Sequence, residues 1–234
     1  MGAVVYLGQS QYGLNGTNVY VNNANLNNST ESVYAVTGMC SAESADKTAV
    51  TTTIENINSI EGNTPQNNLY TWDQLNGQKA SSTGTIYGVY DMSGGTWERT
   101  AGYVANGNGN LKSYGRSLAY EGETLKTAST KYTTVYPNSS NDKSGTTSTM
   151  DELSQENYEA NTKVYGDGIR ETSIQGTSNK GWNSDYSVFP ALYSPFTLHG
   201  GSYSDGGYAG LFAFNRSDGN SGYHNGFRAV LCAQ

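Results

Sequence analysis

Cysteine is nearly absent from this chain. The two present, Cys40 and Cys232, fall far short of a secreted disulfide scaffold, and no Cys/His spacing of a metal site exists. A bond between them would close a very long loop, which favours it entropically. Spacing does not supply the bond geometry, so a bridge and two separate thiols stand as equal readings. Charge is also scarce: 14% of residues are charged, with 13 Lys and Arg against 20 Asp and Glu, a formal net charge of -7. A nucleic-acid binder needs a basic face that displaces counterions from phosphates. These few scattered cations build none, so nucleic acid is excluded as a partner. No apolar run approaches the length that crosses a bilayer. Gly2 to Tyr12 lacks the basic start and long apolar centre of a signal peptide, so any native anchor or export signal would lie upstream.

What the chain does have is glycine, tyrosine and neutral polar residues: 29 Gly and 19 Tyr among 234 residues, with 12% aromatic and 35% hydrophobic content. Aromatics at that level with low net charge describe an ordered, turn-rich protein rather than a disordered one. The length fits a single domain, 1–234, carrying a sizeable insertion, and it is enough to bury a core without covalent staples.

Val4, Val5, Leu7 and Tyr12 fall at helical spacing, with Gly13 to cap, so residues 2–12 read as a short helix. Val19 to Asn22 reads as a strand. Asn23 to Gln66 is Asn-, Ser- and Thr-rich with poor periodicity. Thr96 to Arg99 reads as a strand following the Gly94-Gly95 break. Residues 106–180 are polar and interrupted by Asn-Gly and Gly-Asp-Gly turns, which makes them the least core-like stretch and the expected insertion. Within it Met150 to Val164 is the exception. Met150, Leu153, Tyr158 and Asn161 share a helical face, and Asp151 and Glu152 sit where the helix dipole favours them. Three further strands are expected at 199–203, 211–214 and 226–231.

Three segments carry a family resemblance. Gly88-Val89-Tyr90-Asp91-Met92-Ser93-Gly94-Gly95-Thr96-Trp97-Glu98 resembles the G-L-Y-D-M-x-G-N-V-W-E element of formylglycine-generating (sulfatase-modifying) enzymes and their relatives. His199-Gly200-Gly201-Ser202-Tyr203 resembles their R-G-G-S-W, and Gly226-Phe227-Arg228-Ala229-Val230 their closing G-F-R-x-V. The resemblance covers roughly 84–99 and 198–231. It implies an α+β, C-type-lectin-like fold of the formylglycine-generating-enzyme type: irregular, with short strands, few helices and a polar insertion. It also implies structural roles for Trp97 as a core ring and for Arg228, with Glu98 as its candidate partner, since a buried charge needs one.

That family divides into enzymes and binders, so fold does not decide function. The enzymes place catalytic cysteines between the second and third elements, where this chain has none; thiol chemistry needs its thiolate in the pocket. A related iron-dependent branch needs clustered histidines, and only His199 and His224 exist. The expectation is therefore no enzyme and no cofactor, with metal left undetermined. The closer resemblance is to variable proteins of diversity-generating retroelements, in which adenine-directed mutagenesis rewrites the stretch before G-F-R. Rewritten Asn codons never yield Lys, Glu, Gln, Met or Trp, and Ser202 to Asn225 contains none of these.

The same stretch has the Tyr/Ser/Gly/Asn chemistry of antibody loops, with stiff aromatic contacts and adaptable polar ones. The expected ligand face is Ser202, Tyr203, Ser204, Asp205, Gly207 and Tyr208, then Leu211, Ala213, Asn215, Arg216, Ser217 and Asp218. Asn220, Ser221, Tyr223, His224 and Asn225 complete it. Strand alternation predicts Phe212 and Phe214 inside and Leu211, Ala213 and Asn215 outside, with Phe227 structural. By the resemblance, the protein is an adhesin or receptor-binding protein, extracellular on a cell surface or phage particle, and its partner is a protein or glycan of another cell. The competing readings are a formylglycine-generating-type oxidase and a structural pilus or surface subunit without a variable site.

Overall fold

The computed structural model describes residues 10, 13, 19–26, 34–40, 50–52, 70–139, 149–161 and 166–228. It is a mixed α+β protein with few helices and many short strands. Two compact units divide the chain. The first is Met1–Trp97, Gly200–Ala213 and Gly222–Gly226; the second is Glu98–His199, Phe214–Ser221 and Phe227–Gln234.

In the first unit β1 (Ala24–Leu26) lies between β2 (Tyr34–Ala35) and β4 (Val50–Thr52), antiparallel to β2 and parallel to β4. β3 (Met39–Cys40) pairs antiparallel with β5 (Tyr70–Thr71), and a single helical turn, α1 (Leu75–Gln78), follows. Among the described residues of this unit a buried amide makes a dense set of hydrogen bonds. Asn22 is fully buried. Its Nδ2 donates to the Val36 carbonyl at 2.7 Å and to Asp91 Oδ1 at 2.8 Å, and its Oδ1 accepts from Ala24 N at 3.0 Å. Its own backbone N donates to Ser93 O, and its O accepts from Gly95 N. Asp91 also receives the Gly38 N–H at 3.1 Å. A buried amide is tolerated when its hydrogen bonds are made, and here they clamp residues 91–95 to residue 22. This explains one glycine of the first family-like element. Gly94 has φ +79, and a Cβ there would stand 2.3 Å from Asn22 O.

The second unit is built on a sheet ordered β11-β10-β6-β12, with β9 also paired to β6. Its strands are β6 (Trp97–Val104), β9 (Thr134–Tyr136), β10 (Phe196–His199), β11 (Phe214–Ser217) and β12 (Asn225–Phe227). β10 runs antiparallel to both β11 and β6, with a register shift between Phe196 and Leu198. β9 is parallel to β6. A small hairpin joins β7 (Tyr120–Glu121) and β8 (Thr124–Leu125).

Among the described residues three α-helices belong to this unit. α2 (Gly109–Ala119) is capped by Asn108 and kinks at Gly115, where a Cβ would meet the Phe196 ring at 2.5 Å. α3 (Met150–Ala160) begins with a capping box: Thr149 Oγ1 accepts from Glu152 N, and Glu152 Oε2 accepts from Thr149 N. α4 (Gly168–Glu171) starts at Asp167, whose Oδ1 accepts from Ile169 N and Arg170 N. One core cluster joins Val104, Tyr136, Tyr158, Ile169, Phe189 and Phe214, with Phe189 meeting Tyr136 and Tyr158 edge-on at 4.9 and 5.7 Å. A second joins Tyr103, Leu111, Ala119, Val135 and Phe196.

Several sequence expectations are corrected here. Residues 106–180, expected to be polar and core-poor, contribute several core side chains: Leu111, Ala119, Val135, Tyr136, Leu153, Tyr158 and Ile169 are all buried. Their spacing on short helices and one strand hides a core contribution that average polarity masks. Val19 to Asn22 is not a strand and contributes only an isolated bridge from Asn22 to Gly94. The expected strand at 199–203 lies instead at 196–199, because Gly200 and Gly201 turn the chain with φ +92 and +82. The strand expected at 211–214 begins at Phe214, since Ala213 N closes a turn onto Gly210 O at 3.0 Å. The helix within 150–164 forms with Leu153, Tyr158 and Asn161 buried as expected. The helix at 2–12 lies outside the described residues except Ser10, and residues 229–232 lie outside them too.

Candidate functional site

The first unit holds two parts of the expected ligand face. The loop Gly200–Ala213 is closed at its neck by Gly200 N to Ala213 O at 3.0 Å and Gly210 N to Gly200 O at 3.2 Å. Inside it, Asp205 Oδ2 accepts from Ser202 N at 2.6 Å and from Ser202 Oγ at 2.7 Å. Asp205 is therefore a brace within the loop. A single 3-10 turn, Gly206–Tyr208, follows. The second part is the turn Gly222–Gly226, in which Asn225 N donates to Gly222 O and the Tyr223 and His224 rings meet edge-on at 5.2 Å.

Both parts are pinned to one short segment. Tyr203 N donates to Gly95 O, and Trp97 N donates to His224 O, each at 2.8 Å. Gly226 also packs close there, since a Cβ on it would lie 2.6 Å from Thr96 Oγ1. Trp97 is buried, as expected of the core ring. Tyr203 is only 8% exposed. Burial, with the nearby Tyr223 phenol as a second cause, raises its phenol above the usual tyrosine value. Ser202 and Ala213 are buried with it, so these three leave the expected face. Ala213 turns inward because 211–213 is a turn and not a strand, so strand alternation does not apply. Phe212 and Phe214 are buried as expected. Ser204, Tyr208, Tyr223 and His224 are exposed, while Asp205, Gly207, Leu211 and Asn225 are half-buried.

The remaining expected positions belong to the second unit. Arg216 lies in β11, and its side chain is only 20% exposed. Its Nη1 donates to Met150 O at 2.9 Å and to Ser154 Oγ at 2.5 Å, and its Nη2 meets Asp151 Oδ1 at 2.9 Å. It fastens β11 to the first turn of α3, so it is removed from the face. Ser217 is buried and accepts from Gly219 N. Asp218 closes its own loop: Oδ1 accepts from Asn220 N at 2.9 Å and Oδ2 from Asn220 Nδ2 at 2.7 Å. Arg99 Nη2 donates to Asn220 O, and burial holds the Arg99 guanidinium below its usual value. Asn220 and Ser221 are exposed, and Asn215 is half-buried.

Arg228 does pair with Glu98, with Nε to Oε1 at 2.8 Å and Nη2 to Oε1 at 2.5 Å. The pair is partly exposed rather than buried. Phe227 was expected to be structural but is 81% exposed.

The Cys40 thiol is free and buried, and it donates to Asn76 O at 2.8 Å; burial pushes it up to about 12. Burial holds His199 down at about 4. Among the described residues no three His, Cys, Asp or Glu side chains are grouped to hold a metal ion, and no helix is long and apolar enough to cross a membrane. Sequence reasoning missed the Asn22 hub and the Arg216 brace, since nothing in the local pattern distinguishes either from its polar neighbours. A scan of protein-family models and searches of curated proteins and of solved structures gave no match to this chain.

Proposed function

We propose that the chain is a ligand-binding variable protein of the C-type-lectin-like, formylglycine-generating-enzyme-type group. Its contact surface lies near the C-terminus of the chain, and the side chains that make contact are Ser204, Tyr208, Tyr223 and His224. The observation that supports this reading is the shared anchorage of two loops on Gly95–Trp97. Backbone hydrogen bonds and buried Tyr203, Phe212 and Ala213 hold those loops, while the four side chains stay exposed. The Ser204 hydroxyl shares a hydrogen bond with that of buried Ser202 at 3.0 Å, so the rings of Tyr208, Tyr223 and His224 are the positions expected to be exchangeable without unfolding. Tyrosine and histidine rings among small polar residues give stiff amphipathic contacts at low entropic cost. The partner is a protein or glycan on another cell or surface, and the protein acts outside the cell, on a cell surface or phage particle.

The test is a titration of fluorescently labelled protein on a panel of bacterial cells, untreated, protease-treated and periodate-treated. Joint replacement of Tyr208, Tyr223 and His224 by Ala is expected to remove binding and leave the melting temperature unchanged. Binding to no cell, or full binding by the triple variant, contradicts the proposal. The coding DNA gives a second check: a near-copy of the segment for residues 202–231, differing only at adenines and lying beside a reverse transcriptase.

A further inference from the structure

Residues 172–187 form a tightly bonded loop of the second unit. Ser173 and Gly181 make an antiparallel bridge, flanked by Ile174 N to Lys180 O at 3.1 Å and Trp182 N to Thr172 O at 2.9 Å. In that register Ile174 stands opposite Lys180, and Thr172 stands opposite Trp182, the first residue of the 3-10 turn Trp182–Ser184. Thr172 is buried, but Ile174 is 82% exposed, Trp182 is 56% exposed and Lys180 is exposed. Ile174 and Trp182 stand at the diagonal positions of the ladder, within reach of one ligand. No ion pair or hydrogen bond engages the Lys180 ammonium among the described residues. The carboxylates nearest in sequence are turned to other tasks: Glu171 Oε1 accepts from Gly166 N, and Asp185 is buried.

The backbone under this face is strained. Of the four non-glycine residues with positive φ among the described residues, three are Ser178, Asn183 and Ser184. The conformation is held by Gly181 N to Asp185 O, Ser187 N to Ser178 O and Lys180 N to Ser187 Oγ. Strain of this kind persists only where surroundings impose it, and it gathers at ligand clamps. Two of these residues, Asn183 and Ser184, directly follow Trp182, whose indole is 56% exposed.

We propose that Trp182, Ile174 and Lys180 form a binding site for an acidic saccharide, one whose pyranose ring bears a carboxylate. The indole and the Ile174 side chain offer an apolar platform for the C–H face of the sugar ring. The unpaired Lys180 ammonium meets the carboxylate. The hydroxyls and amides of Gln175, Thr177, Ser178 and Asn183 supply a neutral fringe that suits sugar hydroxyls better than the charged side chains of an acidic peptide. The charge complementarity is local, since the chain as a whole carries -7 and attracts anions nowhere in general.

This site lies in a different unit from the face proposed above and does not depend on it. The test is isothermal titration of the full chain at low ionic strength with hyaluronan tetrasaccharide, neutral chitotetraose and poly-glutamate. The tetrasaccharide is expected to bind about fivefold more tightly than chitotetraose, the size of one exposed charge pair. Trp182→Ala is expected to weaken it by about tenfold or more, as for aromatic anchors elsewhere, and Trp182→Tyr to retain most of the affinity. Lys180→Gln should reduce the acidic sugar to the level of the neutral one. Circular dichroism checks that each variant is folded, and the triple Tyr208, Tyr223 and His224 variant should bind the sugar as the parent does. Absent tetrasaccharide binding, equal binding of chitotetraose, poly-glutamate binding as tight as the sugar, or indifference to Lys180→Gln would each overturn the proposal.

Discussion

Replacing Arg216 by alanine separates a brace from a contact residue. In the structure its guanidinium donates to the Met150 carbonyl and the Ser154 hydroxyl, and it pairs with Asp151. Ser154 is fully buried, so the loss of Arg216 strands its hydroxyl without that donor. Hydrogen bonds to a charged group contribute about 1.5 to 3 kcal/mol. The Asp151 partner is 71% exposed, so that ion pair adds only about 0 to 1 kcal/mol after solvent screening. The expected total is about 2 to 3 kcal/mol, or about 4 to 12 °C in melting temperature for a chain of this length. Thermal and urea denaturation followed by circular dichroism measures it. Asp151→Asn should cost less than about 1 kcal/mol, and Arg216→Lys should fall between, because an ammonium keeps the charge but not the planar fork. Combining Arg216→Ala with Ser154→Ala should show coupling of about 1 kcal/mol or more. An unchanged midpoint in Arg216→Ala would refute the brace and return Arg216 to the contact surface.

Gly94→Ala should cost more than about 3 kcal/mol, since it adds left-handed strain of about 1 to 2 kcal/mol to a collision with the Asn22 backbone. Gly107→Ala, at φ +72 with open space around it, should show only the strain, and equal urea midpoints for the two would contradict the clamp. The folded state refuses a proton at His199 until about pH 4, whereas an unfolded histidine accepts one near 6.5. Stability is therefore lost as pH falls through that window, by about 3 kcal/mol, and His199→Gln should flatten that part of a stability-against-pH curve. Cys40, buried and pushed up to about 12, should resist a thiol reagent at pH 8 in a Cys232→Ser background until denaturant is added; prompt labelling of the native protein would show the thiol open.

The local elements were legible where a periodic signal or a cap carried them. Thr149, Asp151 and Glu152 announce the start of α3, and Leu153 and Tyr158 its buried face, because helix capping and amphipathic spacing are short-range physics. The strand at Trp97 and the burial of its ring were likewise legible. Long-range hydrogen bonds were not. Asn22 finds Val36 and Asp91, and Arg216 finds α3, through chain paths that no local pattern encodes. The candidate face was legible in composition but not in orientation. Alternation placed Ala213 outside on the assumption of a strand, and Gly210 instead makes a turn there. Tyr203 was counted with Tyr208 and Tyr223 because the three are chemically alike; only the bond from its backbone to Gly95 and its burial set it apart.

The direct test of a rigid support carrying exchangeable side chains is a saturation scan of residues 200–226, displayed on yeast and read by protease resistance. Tyr208, Tyr223 and His224 should accept nearly every substitution, including charged ones, while Gly200, Tyr203, Phe212 and Ala213 accept few. Tyr208 and Tyr223 proving as intolerant as Tyr203, or Tyr203 as tolerant as they are, would contradict it.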